Sequence, residues 1–271
     1  MIKMTDEEFK SYVTYIQSNF GINLKAKRVL MESRLSKELA DRGFDTYKQL
    51  LDVVMRDKTG KEVDLLLNKI TTNHTFFWRE SKHFTILRDE ILPELIKNGQ
   101  KEINIWSAAC SSGPEPYTIS MIANEVLGAK KMFFKVNILA SDISQRVLAL
   151  ARAATYEGDS LKDLPAGFKT KYFIDNHDGT FTVKPEIRAN VTFKTINLMD
   201  NFSFPKPFDV IFCRNVMIYF EPDTRDKVVS KMYKFIKPNG YFFVGLAESV
   251  NRQVIPLKYL SPATYQKVET K

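Results

Sequence analysis

The run Ile103-Asn-Ile-Trp-Ser-Ala-Ala-Cys-Ser-Ser-Gly-Pro-Glu-Pro-Tyr117 constrains this chain more than any other stretch. Ile103 to Trp106 reads as a buried strand. Ser107 to Gly113 is almost all small residues, and Pro114 and Pro116 stand where a helix begins and a missing N–H is harmless. A strand that enters a helix through such a loop lets a ligand approach the backbone, as at the first turn of a nucleotide-binding α/β sheet. The loop has no G-x-G-x-x-G and no lysine for a phosphate, and Glu115 at the helix mouth would repel a pyrophosphate. A cationic or hydroxyl-bearing ligand suits it better. S-adenosylmethionine, with a sulfonium, an ammonium and no phosphate, meets that description.

The pattern around this run predicts an α/β fold, a doubly wound and mostly parallel sheet. Strands are expected at Ile103–Ser107, Phe134–Ser141, Val191–Asn197, Val210–Cys213 and Tyr241–Leu246. Helices are expected at about Phe84–Lys97, Glu115–Leu127, Ser144–Ala153 and Pro222–Ile236, the last ended by Lys237-Pro-Asn-Gly240. A small antiparallel insertion interrupts the alternation at about 165–190, where Tyr172–Val183 reads as a hairpin turning at Asp178-Gly179. Ahead of this lies a domain that reads as helical throughout. Thr5-Asp-Glu-Glu8 is a capping box, Phe9, Val13, Ile16 and Phe20 recur at helical spacing, and Gly21 stops the helix. A second helix from about Lys25 to Asp41 puts Leu24, Met31, Leu35 and Leu39 on one face, flanked by Lys27, Arg34 and Lys37. Two more follow, one from Asp45 or Thr46 and one at Lys61–Ile70. The expected division is a helical domain at 1–72, a linker at 73–90 that contributes to the cofactor site, and the α/β domain at 91–271.

Composition excludes several classes. No stretch approaches the ~20 apolar residues of a membrane span, and the first residues lack the apolar core of a secretory signal. Two cysteines, Cys110 and Cys213, read as buried free thiols of a cytoplasmic protein. Three scattered histidines give no metal site. The net charge of +8 favours an acidic partner, nucleic acid or protein. No aromatic-interleaved basic cluster supports nucleic acid.

Four segments carry candidate chemistry. Asp142 closes the second strand, where an acid binds a ribose diol; it could equally cap the helix from Ser144. Asn197 and Leu198, at the end of the next strand, fit the edge and face of an adenine, or an ordinary turn and core pair. Phe208–Cys213 delivers Arg214 and Asn215 to the carboxyl end of a strand, with Tyr219 close behind. Asn73-His-Thr-Phe-Phe-Trp-Arg-Glu80 joins the domains, and its three aromatics dock the polar Asn73, Thr75 and Arg79 in a fixed direction. Arg79 is suited to gripping a carboxylate with two parallel hydrogen bonds.

Trp106–Thr118, Thr71–Glu80 and Phe212–Phe220 together resemble the bacterial chemotaxis receptor methyltransferases, the CheR family. Their order and spacing, the helical N-terminal domain and the hairpin insertion correspond too, so the resemblance spans essentially the whole chain. It implies protein-glutamate O-methylation with S-adenosylmethionine as donor and S-adenosylhomocysteine as product. The expected partner is the cytoplasmic helical bundle of a methyl-accepting chemoreceptor, met by a monomer. Asn73, Thr75, Arg79, Glu115, Asp142, Asn197, Leu198, Asn215 and Val216 fall on the family's cofactor-contacting positions, with Glu115 meeting the donor's positive end. Arg79 and Tyr219 are the expected catalytic residues, and Lys27, Arg34 and Lys37 the expected receptor-binding ones, their alternative being a solvated helix face.

The chain departs from the family pattern in three places. Pro114 replaces an acidic residue, and Gly245-Leu-Ala-Glu248 replaces Gly-His-Ser-Glu. The hairpin around Asn176–Gly179 lacks the glycine-rich loop with which some members grip a receptor-tail pentapeptide, so action without that tether is expected. Two alternatives stand beside this reading. One is methylation of another acceptor such as RNA, disfavoured by Arg214-Asn215-Val216 where such enzymes tend to carry Asn/Asp-Pro-Pro-Tyr. The other is a non-catalytic S-adenosylmethionine-binding signalling protein.

Overall fold

The computed structural model describes residues 2–71 and 73–268. Thr72, in the linker motif, lies outside them.

Helices α1 (Asp6–Phe20), α2 (Arg28–Arg42), α3 (Tyr47–Arg56) and α4 (Lys61–Ile70) share one core, in which Tyr12, Ile16, Met31, Leu35, Leu39 and Tyr47 are fully buried. Capping boxes start α1 at Thr5 with Glu8 and α3 at Thr46 with Gln49. Gly21 ends α1 at φ 72°, a left-handed conformation that a side chain would strain.

Past the linker, α5 (Ser81–Ile86), a π-helical turn (Leu87–Ile91) and α6 (Leu92–Lys97) form one continuous helix. It starts a turn earlier than expected. Pro93 has no N–H to donate, and the helix widens just before it, with Leu92 N–H reaching the Leu87 carbonyl. The α/β domain then runs β1 (Glu102–Ala108), α7 (Pro114–Leu127), β2 (Lys135–Asp142), α8 (Gln145–Ala153), β3 (Thr155–Glu157), α9 (Phe168–Tyr172), β4 (Phe173–Asp175), β5 (Thr180–Val183), α10 (Pro185–Arg188), β6 (Val191–Thr195), β7 (Phe208–Cys213), α11 (Pro222–Tyr233), β8 (Ile236–Val244), β9 (Leu257–Ser261) and β10 (Thr264–Lys267).

The main sheet has the order β6-β2-β1-β7-β8-β10-β9. Its first five strands are parallel and its last two antiparallel. Every residue of β7 is buried, as both faces of the sheet are covered. The chain leaves β1 towards β2 on one side and later returns to β7 on the other. That reversal opens a crevice at the strands' carboxyl ends.

Three expectations need correction. The last helix stops at Tyr233, and Lys237-Pro-Asn-Gly240 lies inside β8 rather than ending a helix. The ladder slips there, between Phe208 and Val210 of the partner strand, and Asn239 takes φ 61°, so a turn-like sequence is absorbed as a bulge. The insertion begins earlier than position 165, because β3 pairs with β5 to make a three-stranded sheet, β3-β5-β4. The hairpin β9–β10 was not anticipated; β9 exposes Tyr259 and Leu260 beside Lys258, which blurs the alternation of a strand, and its turn, Pro262-Ala263, carries no glycine.

Candidate cofactor and acceptor site

A cleft of about 1100 Å³, counting its open mouth, lies at the carboxyl ends of β1, β2, β6 and β7. The helical domain forms its opposite wall through Phe20, Ile22, Leu67 and Thr71. All nine expected cofactor residues line it, and so does Tyr219. The two domains are joined at this edge by a bridge between Ile22 and Phe220 and by Asn23 N–H donating to the Tyr219 carbonyl at 2.7 Å.

The loop after β1 turns sharply, with Ala109 at φ 58° and Ser111 at φ 51°. Its shape is fixed from β2. The Asp142 carboxylate accepts from Ser111 N–H at 2.8 Å and from Ser144 N–H at 3.0 Å. Burial raises the pKa of Asp142, against the lowering effect of those amides. The cap of α8 is Ser144, whose hydroxyl accepts from Val147 N–H at 3.3 Å, so Asp142 holds the turn ahead of the helix and stands in the cleft.

Glu115 does not face the cleft as an isolated charge. Its carboxylate accepts from Ser107 Oγ at 2.6 Å and from Arg214 Nη1 at 2.8 Å. Arg214 is the hub of the floor. Its side chain is 2% exposed, it also donates to Glu80 at 2.9 Å and to the Arg79 carbonyl, and it stands 5.1 Å from the centre of the Phe84 ring. Glu80 in turn accepts from Asn215 Nδ2 at 3.0 Å and from Leu246 N–H at 3.3 Å. Burial pushes the Glu80 pKa up, but the Asn215 hydrogen bond and the Arg214 charge outweigh it and hold the carboxyl below its usual value.

Glu248 organises the turn beneath. It is buried and accepts from the backbone N–H of Gly245, of Asn215 at 2.8 Å and of Ile218 at 3.1 Å; burial raises its pKa despite them. Asn215 adopts φ 58°. Gly245 packs so close that a Cβ there would stand 2.6 Å from Asn215 Nδ2.

Arg79 lies between two left-handed residues, Trp78 at φ 66° and Glu80 at φ 56°, in a segment docked by Phe77 and Trp78. Its Nη1 donates to the His74 carbonyl at 2.8 Å. Asn73 Nδ2 donates to Asn68 at 3.3 Å, and its carbonyl accepts from Ser111 Oγ at 3.1 Å, so linker and first loop are tied together. Thr75 and Val216 line the walls. The Asn197 amide is turned away from the cleft: Nδ2 donates to the Asn19 carbonyl at 2.8 Å, and Oδ1 accepts from Met199 N–H at 3.0 Å. Leu198, 7% exposed, supplies the apolar surface.

The expected basic face of α2 splits. Lys27 and Lys37 are exposed, but Arg34 donates to the carbonyls of Lys69 at 3.2 Å and Thr71 at 2.9 Å, holding the end of α4. Cys110 and Cys213 are buried free thiols, as expected.

The donor set fits S-adenosylmethionine. The cleft has an acid at the end of β2, an aliphatic wall at Leu198 and two cations, of which Arg214 is already held by Glu80 and Glu115. Residues 73–265 match the CheR methyltransferase SAM-binding domain, and residues 7–71 match the CheR all-alpha domain. The chain belongs to the CheR methyltransferase family. It is 43% identical to the chemotaxis protein methyltransferase of Borreliella burgdorferi, over 98% of this chain and 96% of the relative. Chemotaxis protein methyltransferase 1 of Vibrio cholerae is 38% identical, over 92% and 91%. The Escherichia coli chemotaxis protein methyltransferase is 34% identical, over 92% and 86%. As a CheR methyltransferase, the chain takes S-adenosylmethionine as its cofactor. Glu80 and Glu248 are the residues that sequence reasoning left out of the site, and Arg214, expected at the carboxyl end of its strand, was given no role there. Glu248 was visible only as the surviving acid of a departed motif, and Glu80 only as the last letter of the linker.

No helix among the described residues is long and apolar enough to cross a membrane.

Proposed function

We propose that this chain methylates glutamate side chains on the cytoplasmic helical bundle of chemoreceptors, as part of sensory adaptation. The observation that carries the acceptor is Arg79. It lines the same cleft as Tyr219, while the other guanidinium, Arg214, is taken up by carboxylates. A guanidinium in that place suits an anionic acceptor, and two parallel N–H bonds would orient it.

A glutamate, with a pKa near ~4.3, is already ionised at neutral pH and needs no general base. The bound cofactor supplies an electrophilic methyl on a sulfonium. When bound, that group would give its methyl to one carboxylate oxygen and leave with the carbon–sulfur electron pair, so the chain would have no proton to move. The chain's own work is then to bind and orient the carboxylate through Arg79 and Tyr219, and to strip it partly of water between the two domains.

Lys27, at the N-cap of α2, and Lys37, on the exposed side of that helix, suit an acidic receptor bundle. The short turn between β4 and β5 supports action without a tail-pentapeptide tether. Labelled methyl should pass from S-adenosylmethionine to receptor-containing membranes as a base-labile product, and K27E/K37E should raise KM without altering S-adenosylhomocysteine binding. Base-stable label on RNA, or cofactor binding without transfer, would overturn the reading. Calorimetric binding of a receptor-tail peptide that depends on residues 172–183 would overturn the untethered part alone.

A further inference from the structure

Between β6 and β7 the chain has neither helix nor strand, yet this segment carries Asn197 and Leu198 into the cleft. It is held from two sides. The end of α1 meets it through the Asn19 carbonyl and through Gly21, where a Cβ would stand 2.6 Å from Met199 Sδ. From α11, Lys231 Nζ donates to three successive carbonyls: Leu198 at 2.6 Å, Met199 at 2.8 Å and Asp200 at 2.9 Å. An ammonium has three N–H groups, and here each has a carbonyl. Nζ also stands 5.3 Å from the centre of the Phe202 ring. Three neighbouring carbonyls converging on one point repel one another unless a cation sits among them. The turn therefore depends on a charge from another element.

We propose that Lys231 is a positioning residue for the cofactor. By holding the Leu198–Asp200 carbonyls inward, it sets the surface that Leu198 presents to the adenine. This rests on placing the adenine against Asn197–Leu198, which the test examines separately. Lys231 touches neither the methyl nor the acceptor, so it should act on cofactor affinity and leave the transfer step alone.

Calorimetry with S-adenosylhomocysteine on the full chain should show K231M binding about tenfold more weakly, in the range for losing part of a charge-assisted hydrogen-bond set. At saturating S-adenosylmethionine, kcat on receptor-containing membranes should stay within about twofold of the parent. A Kd unchanged in folded K231M overturns the proposal. L198A distinguishes the causes: weakened binding in L198A beside an intact K231M rejects Lys231 alone, whereas intact binding in both rejects the adenine placement. If K231M does not fold, K231A is titrated in butylammonium and in tetramethylammonium chloride at equal concentration. Recovery of affinity in the first only supports the role of a three-donor ammonium; equal behaviour in the two salts overturns it.

Discussion

Arg214 and Glu115 form an ion pair at 2.8 Å in which the guanidinium side chain is 2% exposed and the carboxylate 14%. With Glu80 on its other side, the pair joins the linker, α7 and the end of β7 at one buried point. Such a hub gives little net stability as a whole, but removing one partner strands the others. R214M leaves two carboxylates in the floor of the cleft without their cation. It should cost about 3–5 kcal/mol in urea denaturation and abolish measurable cofactor binding. A loss under about 1 kcal/mol would show that water reaches the hub.

Gly245 tests the packing of the turn above Glu248. A Cβ there would meet Asn215 Nδ2 at 2.6 Å and Glu248 Oε2 at 2.8 Å, side-chain ends pinned by hydrogen bonds, and the Asn215 backbone nitrogen at 2.9 Å. G245A should destabilise the protein by about 1–3 kcal/mol and weaken S-adenosylhomocysteine binding. Unchanged affinity would mean that Asn215 can shift without cost to the site.

His83 gives the fold an acid limit. It is buried against Phe243, with ring centres 5.2 Å apart, and lies 3.7 Å from Glu80. Burial, then the Arg214 charge, push its pKa down to about 4, against the opposing pull of Glu80. The unfolded chain binds this proton near pH ~6.5, so between those values it holds more protons than the native state. The stability from a neutral His83 is thus full above ~6.5 and is lost as pH falls towards ~4, up to about 3 kcal/mol in all. H83F should flatten that part of the curve of unfolding free energy against pH. A variant whose curve keeps its slope would assign the acid sensitivity to other groups.

Arg79 should matter for rate far more than for stability. R79A should lower kcat/KM on receptor membranes about 10²-fold, with R79K restoring only part, since an ammonium cannot grip a carboxylate in parallel. Urea midpoints for both variants should match the parent. Full activity in R79K would reduce the role of Arg79 to charge alone.

Local signals made much of the architecture legible in advance. The capping box at Thr5, the glycine after α1, and the strand–loop–helix at β1–α7 all act within a few residues. What escaped depends on partners far along the chain. Lys237–Gly240 looks like a turn until β7 pairs with it, and Arg34 looks like a solvated cation until the end of α4 meets it. The same holds for the site. Residues carried by compact motifs were found, but Glu115 was read as a bare charge because its partner lies 99 positions away. Asn197, likewise, could be read as an adenine contact or a turn residue, and the bond of its amide to the Asn19 carbonyl, 178 positions away, was out of reach of local signals.

The clasp between Asn23 and Tyr219 also bears on engineering. The helical domain is an attractive unit to exchange when one wishes to redirect an enzyme of this kind to a new receptor. Yet the main chain of its first inter-helix loop is bonded to Tyr219, which lines the cleft and which we propose helps to receive the acceptor. A chimera joined at the linker alone would bring a foreign loop against Tyr219. The useful crossover keeps positions 19–24 with the methyltransferase domain and exchanges only what lies beyond them.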